Sequence, residues 1–240
     1  MRLEKYLADS GIGSRSECKK YIKKGWIRVN GEIVKDGAMQ VTEKDIIYYM
    51  DKGLAVHKNL YFMLHKPAGC ICATKDTTQE TVLGFFEPAI AKHLIIVGRL
   101  DKDTEGLLLL TDDGNFSHRL TSPSKHVEKT YFFRADGILL PEAETMVKEG
   151  IDIGDEKRTL PGILKDVRID EKNNCCEAYL TICEGRYHQV KRMVHALGAE
   201  VTYLKRISIG NLILDADLKP GRYRALTEAE LAMFGIESRK

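Results

Sequence analysis

Residues 96–114, IVGRLDKDTEGLLLLTDDG, place a short polar loop between two apolar runs. The loop carries an arginine and several acidic residues, and the flanking runs at 94–97 and 107–110 have the length and composition of buried strands. Loops held by rigid strands are frequent positions for reactive groups. From its residues alone, this segment is as compatible with an ordinary charged hairpin as with a functional loop.

Short apolar runs separated by turns continue on both sides of this loop. Strands are predicted at 61–64, 94–97, 107–110, 130–134, 163–169 and 178–183, and helices at 81–86, 141–149 and 188–197. The strands outnumber the helices and do not alternate regularly with them. The pattern therefore predicts an α+β fold whose mixed, mostly antiparallel sheet is flanked by helices, rather than a doubly wound parallel sheet.

The first 48 residues have the pattern of a separate small unit. One helix is predicted to begin near residue 3, and a second begins at a capping box formed by Ser14 and Glu17 and ends at Gly25. The dipeptide NG at 30–31, between two short apolar runs, predicts a β-hairpin because both positions of its turn need positive φ. The predicted order is helix, helix, hairpin.

Basic residues are concentrated in this unit, although the whole chain has a formal net charge of only +2. Between residues 15 and 28 they are Arg15, Lys19, Lys20, Lys23, Lys24 and Arg28, against a single acid, Glu17. On a helix, lysines four residues apart repel one another at a cost of about 0.2 to 0.5 kcal/mol per pair. From charge alone, this patch is either a solvated helix face or a phosphate-binding surface.

Composition argues against several classes of protein. The chain is 43% hydrophobic and 30% charged, as in a globular protein. The stretch MRLEKYLADSG lacks the apolar h-region of a signal peptide, and no apolar run is long enough to span a membrane. We therefore expect a cytoplasmic protein without a membrane partner. Its six cysteines lack the spacing of a metal site or a disulfide framework, and no GxGxxG, GxxxxGK[ST] or HExxH motif occurs, so no metal and no nucleotide cofactor are expected.

The segment RLEKYLADSGIGSRSECKKYIKKGWIRVNGEIV, residues 2–34, resembles the S4 domain, an RNA-binding module of ribosomal protein S4 and of several RNA-modifying enzymes. The resemblance implies that RNA is the anion bound by the basic residues between Arg15 and Arg28. It also suggests the domain boundaries. We expect an S4-like domain at 1–48, a linker at 49–60 and a catalytic domain at 61–240.

The segment GRLDKDTEGLLLLTDDG, residues 98–114, resembles the signature loop of the pseudouridine synthases that modify ribosomal RNA. The resemblance implies that Asp101 is the catalytic carboxylate. The neighbouring acids Asp103, Glu105, Asp112 and Asp113 are competitors that the residues alone do not exclude.

Two further segments resemble motifs of the same family, in the same order along the chain. HVEKTY at 126–131 implies that Tyr131 lies against the target base, and EGRYHQVKRM at 184–193 implies that Lys191 pairs with the catalytic aspartate. On the predicted helix, Lys191 borders the apolar stripe formed by 190, 193, 194 and 197. A partly buried lysine there could hold a carboxylate ionised, although without the resemblance a snorkelling surface lysine is the simpler interpretation.

The resemblance also implies contacts with RNA around the loop. Arg99 is a candidate for filling the place that a flipped base leaves, or for binding the RNA backbone. Arg186, His188 and Arg192 are candidates for phosphate contacts, and each is equally compatible with a surface role.

The segments at 61–69, 117–123 and 209–221 resemble the small-subunit members of this family, apart from His65 where asparagine is usual. This likeness implies a monomer that isomerises a uridine in the 530-loop region of 16S rRNA, as free RNA or in an assembling small ribosomal subunit, without a cofactor. One alternative is the same chemistry on 23S rRNA. Another is a non-catalytic RNA-binding or ribosome-assembly factor.

Overall fold

The computed structural model describes residues 1–42, 44–54 and 59–236. The chain divides into two compact units, Met1–Asn59 and Leu60–Lys240. The division falls at the end of the segment that was expected to be a linker, of which residues 55–58 lie outside the described residues. Among the described helices, none is long and apolar enough to cross a membrane.

The first unit contains two helices and a four-stranded sheet with the order β2-β1-β3-β4. Its elements are α1 (Leu3–Asp9), α2 (Arg15–Lys23), β1 (Ile27–Val29), β2 (Glu32–Ile33), β3 (Ile47–Tyr49) and β4 (Lys52–Gly53). The predicted capping box of α2 is present, and residues 30 and 31 have φ values of 52° and 89° in the turn between β1 and β2. Strand β4 pairs with β3, so this part of the expected linker belongs to the sheet.

The second unit is built on a nine-stranded sheet. Its elements are β5 (Tyr61–Lys66), a 3-10 turn (Val82–Phe85), α3 (Pro88–Ala91), β6 (Ile95–Val97), β7 (Glu105–Thr111), α4 (Gly114–Thr121), a 3-10 turn (Pro123–Lys125), β8 (Lys129–Gly137), α5 (Ala143–Glu149), β9 (Ile163–Asp170), β10 (Cys175–Ile182), α6 (Gln189–Ala196), β11 (Ala199–Ile209), β12 (Leu212–Ile213), β13 (Tyr223–Ala225) and α7 (Glu228–Ala232). The strand order is β13-β5-β7-β11-β8-β10-β9, with β12 beside β11 and β6 beside β7. Of the described pairs, β7–β11 is parallel and the others are antiparallel, which confirms the predicted α+β class.

All six predicted strands form, but the longest strand was not predicted. Strand β11 has 11 residues and lies between β7 and β8. Buried, partly buried and exposed positions follow one another irregularly along β11. Its sequence, AEVTYLKRISI, therefore lacks the regular alternation of apolar and polar residues that predicts a strand. The segment predicted as a helix at 81–86 is instead the 3-10 turn, which is too short to form a regular α-helix.

The four leucines of β7 are buried on both faces of the sheet. Leu108 and Leu110 belong to one apolar cluster with Phe133 and Met193, whereas Leu107 and Leu109 belong to a second cluster. Full burial of each leucine side chain stabilises the fold by about 1.5 to 3 kcal/mol. The uninterrupted LLLL run is therefore the pattern of a strand that is covered on both sides.

The start of β7 lies against the backbone of β11. Gly106 has a φ of 105°, and a Cβ atom at this position would lie 2.3 Å from the carbonyl oxygen of Arg206. A side chain is therefore excluded both by the backbone conformation and by the neighbouring strand. This contact fixes the end of the loop at 98–104 that precedes β7.

Replacing Gly106 with alanine is expected to lower the free energy of unfolding by at least about 2 kcal/mol, because the new Cβ forces the two strands apart. Urea denaturation monitored by circular dichroism measures the change. Gly84→Ala is the matched control, since a Cβ at Gly84 meets nothing within 4 Å and its φ is ordinary. Equal stability of the two variants would contradict this account of the strand contact.

Candidate active site

A cavity of about 520 Å³ lies beside the loop at 98–104, within the second unit. This volume is in the range of pockets that enclose small ligands. The predicted site residues that line it are Arg99, Asp101, Tyr131, Arg186, His188 and Lys191. They come from the loop before β7, from β8, from the segment that leads into α6 and, for Lys191, from α6 itself.

Asp101 lies between two basic side chains. Its Oδ2 is 3.7 Å from Nζ of Lys191, and its Oδ1 is 3.6 Å from Nε2 of His188. The predicted proximity of 101 and 191 is thus present, and Lys191 is 24% exposed, as the border position on α6 suggested. The loop turns at Asp101, whose carbonyl oxygen accepts a hydrogen bond from the N–H of Thr104.

Lys191 also contacts a second carboxylate, which the sequence did not predict. Its Nζ donates to both carboxylate oxygens of Asp103 at 2.7 Å. Partial desolvation raises the pKa of Asp103, but the hydrogen bond and the charge of Lys191 outweigh that effect, so the pKa lies below its ordinary value. Lys191 therefore bridges Asp101 and Asp103.

The other acids near the loop have structural partners. Glu105 accepts a hydrogen bond from the hydroxyl of Tyr203, Asp112 accepts one from the N–H of residue 60, and Asp113 caps the N-terminus of α4. Asp103 has a side chain that is 71% exposed and is not among the lining residues. Of the five acids in this segment, Asp101 is the one that lines the cavity.

A buried lysine fixes the carbonyl groups around the loop. Lys66, at the end of β5, is 0% exposed, and its Nζ donates to the carbonyl oxygens of Pro67, Lys102 and Thr104 at 3.0, 3.2 and 2.9 Å. The N–H of Gly69 donates to the carbonyl of Lys102 as well. One ammonium group therefore binds the backbone carbonyls on both sides of Asp103.

A second network fixes the segment before α6. Glu184 accepts hydrogen bonds from the N–H of Leu160, from Nε2 of Gln189 and from Nε of Arg186. Oε1 of Gln189, which is only 3% exposed, accepts in turn from the N–H of Arg186. These bonds determine where α6 begins and hence where Lys191 lies.

Two of the arginines predicted to contact RNA are engaged within the protein. Arg186 donates to Asp155 and to the carbonyls of residues 157 and 158, although it also lines the cavity. Arg192 donates to Asp155 and to the carbonyl of Ile153, and it is not among the lining residues. Both arginines tie the segment around Asp155 to α6. Arg99, by contrast, is exposed at the cavity.

A second aromatic side chain lines the cavity beside the predicted Tyr131, and the sequence did not single it out. Tyr187 is 72% exposed and stacks on the imidazole of His188, with a ring-centroid distance of 3.9 Å and an interplanar angle of 16°. His188 has a φ of 49° at the N-cap of α6, which turns the two rings onto one another. An exposed tyrosine of this kind is a suitable surface for stacking a nucleic-acid base.

Three basic side chains of the cavity were also missed, and one of them, Lys102, lies in the loop beside Asp101. Arg206 is 2% exposed and Lys129 is partly buried, and both line the cavity. Arg206 could not be placed from the sequence because β11 was not predicted, whereas Lys129 lies in the HVEKTY segment and was given no role there. Among the described residues, no three histidine, cysteine or carboxylate side chains are grouped as metal ligands would be.

The basic residues predicted to bind RNA in the first unit are all exposed, namely Arg15, Lys19, Lys20, Lys23, Lys24 and Arg28. Lys19 lies 3.5 Å from Glu4, whose side chain is 12% exposed. Arg28 lies 3.5 Å from Asp51 in an exposed ion pair, which contributes little. The ammonium of Lys24 lies over the ring of Trp26 at 4.5 Å. The patch thus combines positive charge with an aromatic surface.

Two protein-family models match the chain. The model described as RNA pseudouridylate synthase matches residues 60–196, which is more than half of the chain, and the S4 domain model matches residues 1–47. The chain belongs to the RNA pseudouridylate synthase family. It is accordingly an enzyme of the isomerase class that carries an N-terminal S4 domain, and its cavity is the candidate active site of a pseudouridine synthase.

Individual relatives align with nearly the whole length of this chain. The ribosomal small subunit pseudouridine synthase A of Haemophilus influenzae is 43% identical over 233 residues, which are 96% of this chain and 98% of that protein. An uncharacterized RNA pseudouridine synthase of Bacillus subtilis is 42% identical over 235 residues, 96% of this chain and 97% of that protein. A crystal structure of a pseudouridylate synthase has a TM-score of 0.68 at 42% identity and covers 97% of this chain and 99% of that one.

Replacing Lys66 with methionine is expected to lower the free energy of unfolding by about 2 to 4 kcal/mol, because three carbonyl groups lose a charged donor. Urea denaturation measures the loss, and Lys92→Met, at an exposed position, is the control. Burial lowers the pKa of Lys66 below its ordinary value of 10.5. The unfolded chain then holds this proton more tightly, so the contribution of Lys66 to stability increases as the pH rises towards 10.5.

The stability difference between the wild type and Lys66→Met should therefore widen from neutral to alkaline pH. A difference that is constant or that narrows with pH would contradict the burial of a charged ammonium at this position.

Proposed function

We propose that this synthase converts one uridine of 16S rRNA, in the 530-loop region, to pseudouridine, and that Asp101 is its catalytic carboxylate. The observation that carries the proposal is the position of Asp101 in a nucleotide-sized cavity, between the ammonium of Lys191 and the imidazole of His188. An aspartate carboxylate in such a position can act as a nucleophile or stabilise positive charge on a sugar.

The proposed reaction needs no net exchange of atoms beyond protons. The bond between N1 of uracil and C1′ of ribose breaks, the base rotates, and a bond forms between C5 and C1′. The proton on C5 is lost and N1 gains one, so oxidation states balance without a cofactor. Asp101 assists by attack at the ribose, by attack at the base, or by stabilising the sugar on a glycal-type route.

A uridine in folded RNA has to leave its stack before its sugar and base can reach Asp101, at a cost of a few kcal/mol. Tyr131 is 8% exposed in the cavity wall and offers the base an aromatic face, in line with its expected role. Arg99 and the exposed ring of Tyr187 also line the cavity, where they can contact the nucleotides that flank the uridine. Stacking on such a ring contributes about 1 to 3 kcal/mol per base.

The small-subunit target is inferred from relatives and from the S4 domain. The relative from Haemophilus influenzae is named a ribosomal small subunit synthase, whereas the one from Bacillus subtilis, at nearly the same identity, is named without a ribosomal subunit. The basic patch of the S4 domain supplies the charge that a structured RNA requires. We infer that the enzyme acts in the cytoplasm, as a monomer, on 16S rRNA or on the assembling small subunit.

Asp101→Asn is expected to abolish isomerisation while RNA affinity changes less than about threefold, because only the reacting carboxylate is lost. Tritium release from C5-labelled 16S rRNA measures turnover, and filter binding measures affinity. Asp103→Asn is the matched control, since Asp103 contacts the same lysine without lining the cavity. It should retain at least a tenth of the activity.

Full activity of Asp101→Asn would overturn the catalytic assignment. The target is tested separately by mapping pseudouridines in both large ribosomal RNAs of a strain that lacks the gene. A missing modification in 23S rRNA, with 16S rRNA intact, would overturn the small-subunit proposal while leaving the chemistry in place.

The double variant Lys23→Ala/Lys24→Ala is expected to weaken RNA binding and to lower the slope of log K against log salt by about 1.4 to 1.8, which corresponds to two phosphate contacts. The chemical step at saturating RNA should be unchanged. Lys165→Ala/Lys172→Ala removes two exposed lysines from the β9 and β10 edge of the sheet and serves as the control. An unaltered slope in the first variant would remove α2 from the RNA interface.

A further inference from the structure

The inner wall of the cavity carries a guanidinium with unused hydrogen-bonding capacity. Arg206 is 2% exposed and lines the cavity, and its hydrogen bond within the described chain runs from Nε to the carbonyl of Leu107 at 2.8 Å. Its Nη2 has no partner among the described residues. A guanidinium offers five N–H donors, and leaving a buried charged group unsatisfied costs more than the 1 to 3 kcal/mol typical of a neutral one.

A second cation lies on the same face of the sheet. Arg206 on β11 is directly opposite Tyr131 on β8, and Lys129 is two residues before Tyr131 on that strand. Because side chains two residues apart on a strand share a face, all three point into the cavity that they line. Lys129 donates to the carbonyl of Val127, and both burial and the charge of Arg206 lower its pKa.

The acids of the cavity wall are engaged elsewhere. Asp101 lies beside Lys191 and His188, and Glu184 pairs with Arg186. The charge of Arg206 therefore acts on Lys129 without a carboxylate from the described residues paired with either cation. Such an arrangement is stabilised by an acceptor that enters the cavity with negative charge.

We propose that Arg206, with Lys129 beside it, binds a carbonyl oxygen of the flipped uracil and stabilises the negative charge that the base acquires during isomerisation. The inference rests on the proposed function, because it takes the uridine nucleotide as the occupant. It adds two residues to the reaction machinery that the resemblance to the family did not supply.

The charge on the base arises whichever route Asp101 takes. If the bond between N1 and C1′ breaks first, its electron pair stays with uracil and is shared between N1 and the oxygens O2 and O4. If the carboxylate adds to C6, the electrons of the C5–C6 bond move towards O4. In both cases, a preorganised donor in a water-poor wall favours the transition state over the ground state.

The depth of Arg206 in the cavity indicates that it binds the base and not a phosphate group. A phosphate remains part of the RNA backbone and is held at the rim, where Arg99 is exposed. The base is the part of a flipped nucleotide that extends inwards, past Tyr131, towards a side chain that is only 2% exposed. An acceptor deep in the cavity is therefore a uracil oxygen.

The experiment compares single-turnover isomerisation of 16S rRNA fragments that carry uridine, 2-thiouridine or 4-thiouridine at the target position. Nucleosides are separated by chromatography after digestion, and RNA affinity is measured in parallel. Arg206→Gln should lower the rate on uridine about 100-fold or more, as expected for loss of an oxyanion donor, with the Kd changed less than threefold. Lys205→Met removes the adjacent cation on the opposite face of β11 and should leave the rate unchanged.

Sulfur accepts hydrogen bonds weakly, so the thio substitutions test contact directly. At the oxygen that Arg206 contacts, sulfur should slow the wild type but add less than twofold to the defect of Arg206→Gln. If the loss caused by Arg206→Gln and the loss caused by sulfur multiply at both O2 and O4, Arg206 contacts neither oxygen and has only a structural role. That result would overturn the inference. A loss confined to Kd, with an unchanged rate, would overturn it in favour of a phosphate contact.

Two further arms keep the test decisive. If circular dichroism shows that Arg206→Gln is unfolded, the thio substrates are compared with Arg206→Lys and Lys129→Met instead. Each of these variants should lower the rate on uridine about tenfold, and sulfur at the contacted oxygen should again add less than twofold to that loss. A wild type that is inactive on 16S rRNA overturns the proposed target. An active wild type whose variants show independent losses overturns the role of Arg206 and Lys129 alone.

Discussion

The close contact between β7 and β11 is the constraint on which the site depends. This parallel pair joins the strands β13, β5, β6 and β7 to the strands β8, β9 and β10 in the described sheet. Asp101 precedes β7, whereas Tyr131 and Lys191 belong to the other half. The separation between the carboxylate and its cations is therefore set by how closely two backbones approach at Gly106, where a side chain would collide with Arg206.

Charge around the loop is balanced by lysines on two sides. Lys66 binds backbone carbonyls from within the core, and Lys191 binds the carboxylates of Asp101 and Asp103 from α6. Desolvating an ammonium is costly, and each lysine offsets that cost with several acceptors. The exposed Asp103 takes the shorter contact with Lys191 at 2.7 Å, which leaves Asp101 at 3.7 Å with room for a substrate atom to approach.

The parts of this site that sequence could predict are those coded locally. The strands around the loop follow from the LLLL run, and the helix that carries Lys191 follows from its apolar stripe. By contrast, the contact of Arg186 and Arg192 with Asp155 could not be predicted, because Asp155 lies more than 30 residues away and has no local signature. The resemblance implied Asp101. The structure adds that Glu105 and Asp112 accept hydrogen bonds from Tyr203 and from the N–H of Leu60, which are distant in the sequence.

A near-neutral chain binds RNA only if its charge is distributed unevenly, and both units have such a distribution. The S4 domain gathers six exposed cations on and just after α2, and the cavity is lined by more basic side chains than acidic ones. Exposed cations attract phosphates at long range and are screened by salt, whereas buried ones act over a few ångströms and are not. Affinity and chemistry can therefore be assigned to different cations of one protein, with the exposed set governing encounter and the buried set responding to charge that develops inside the cavity.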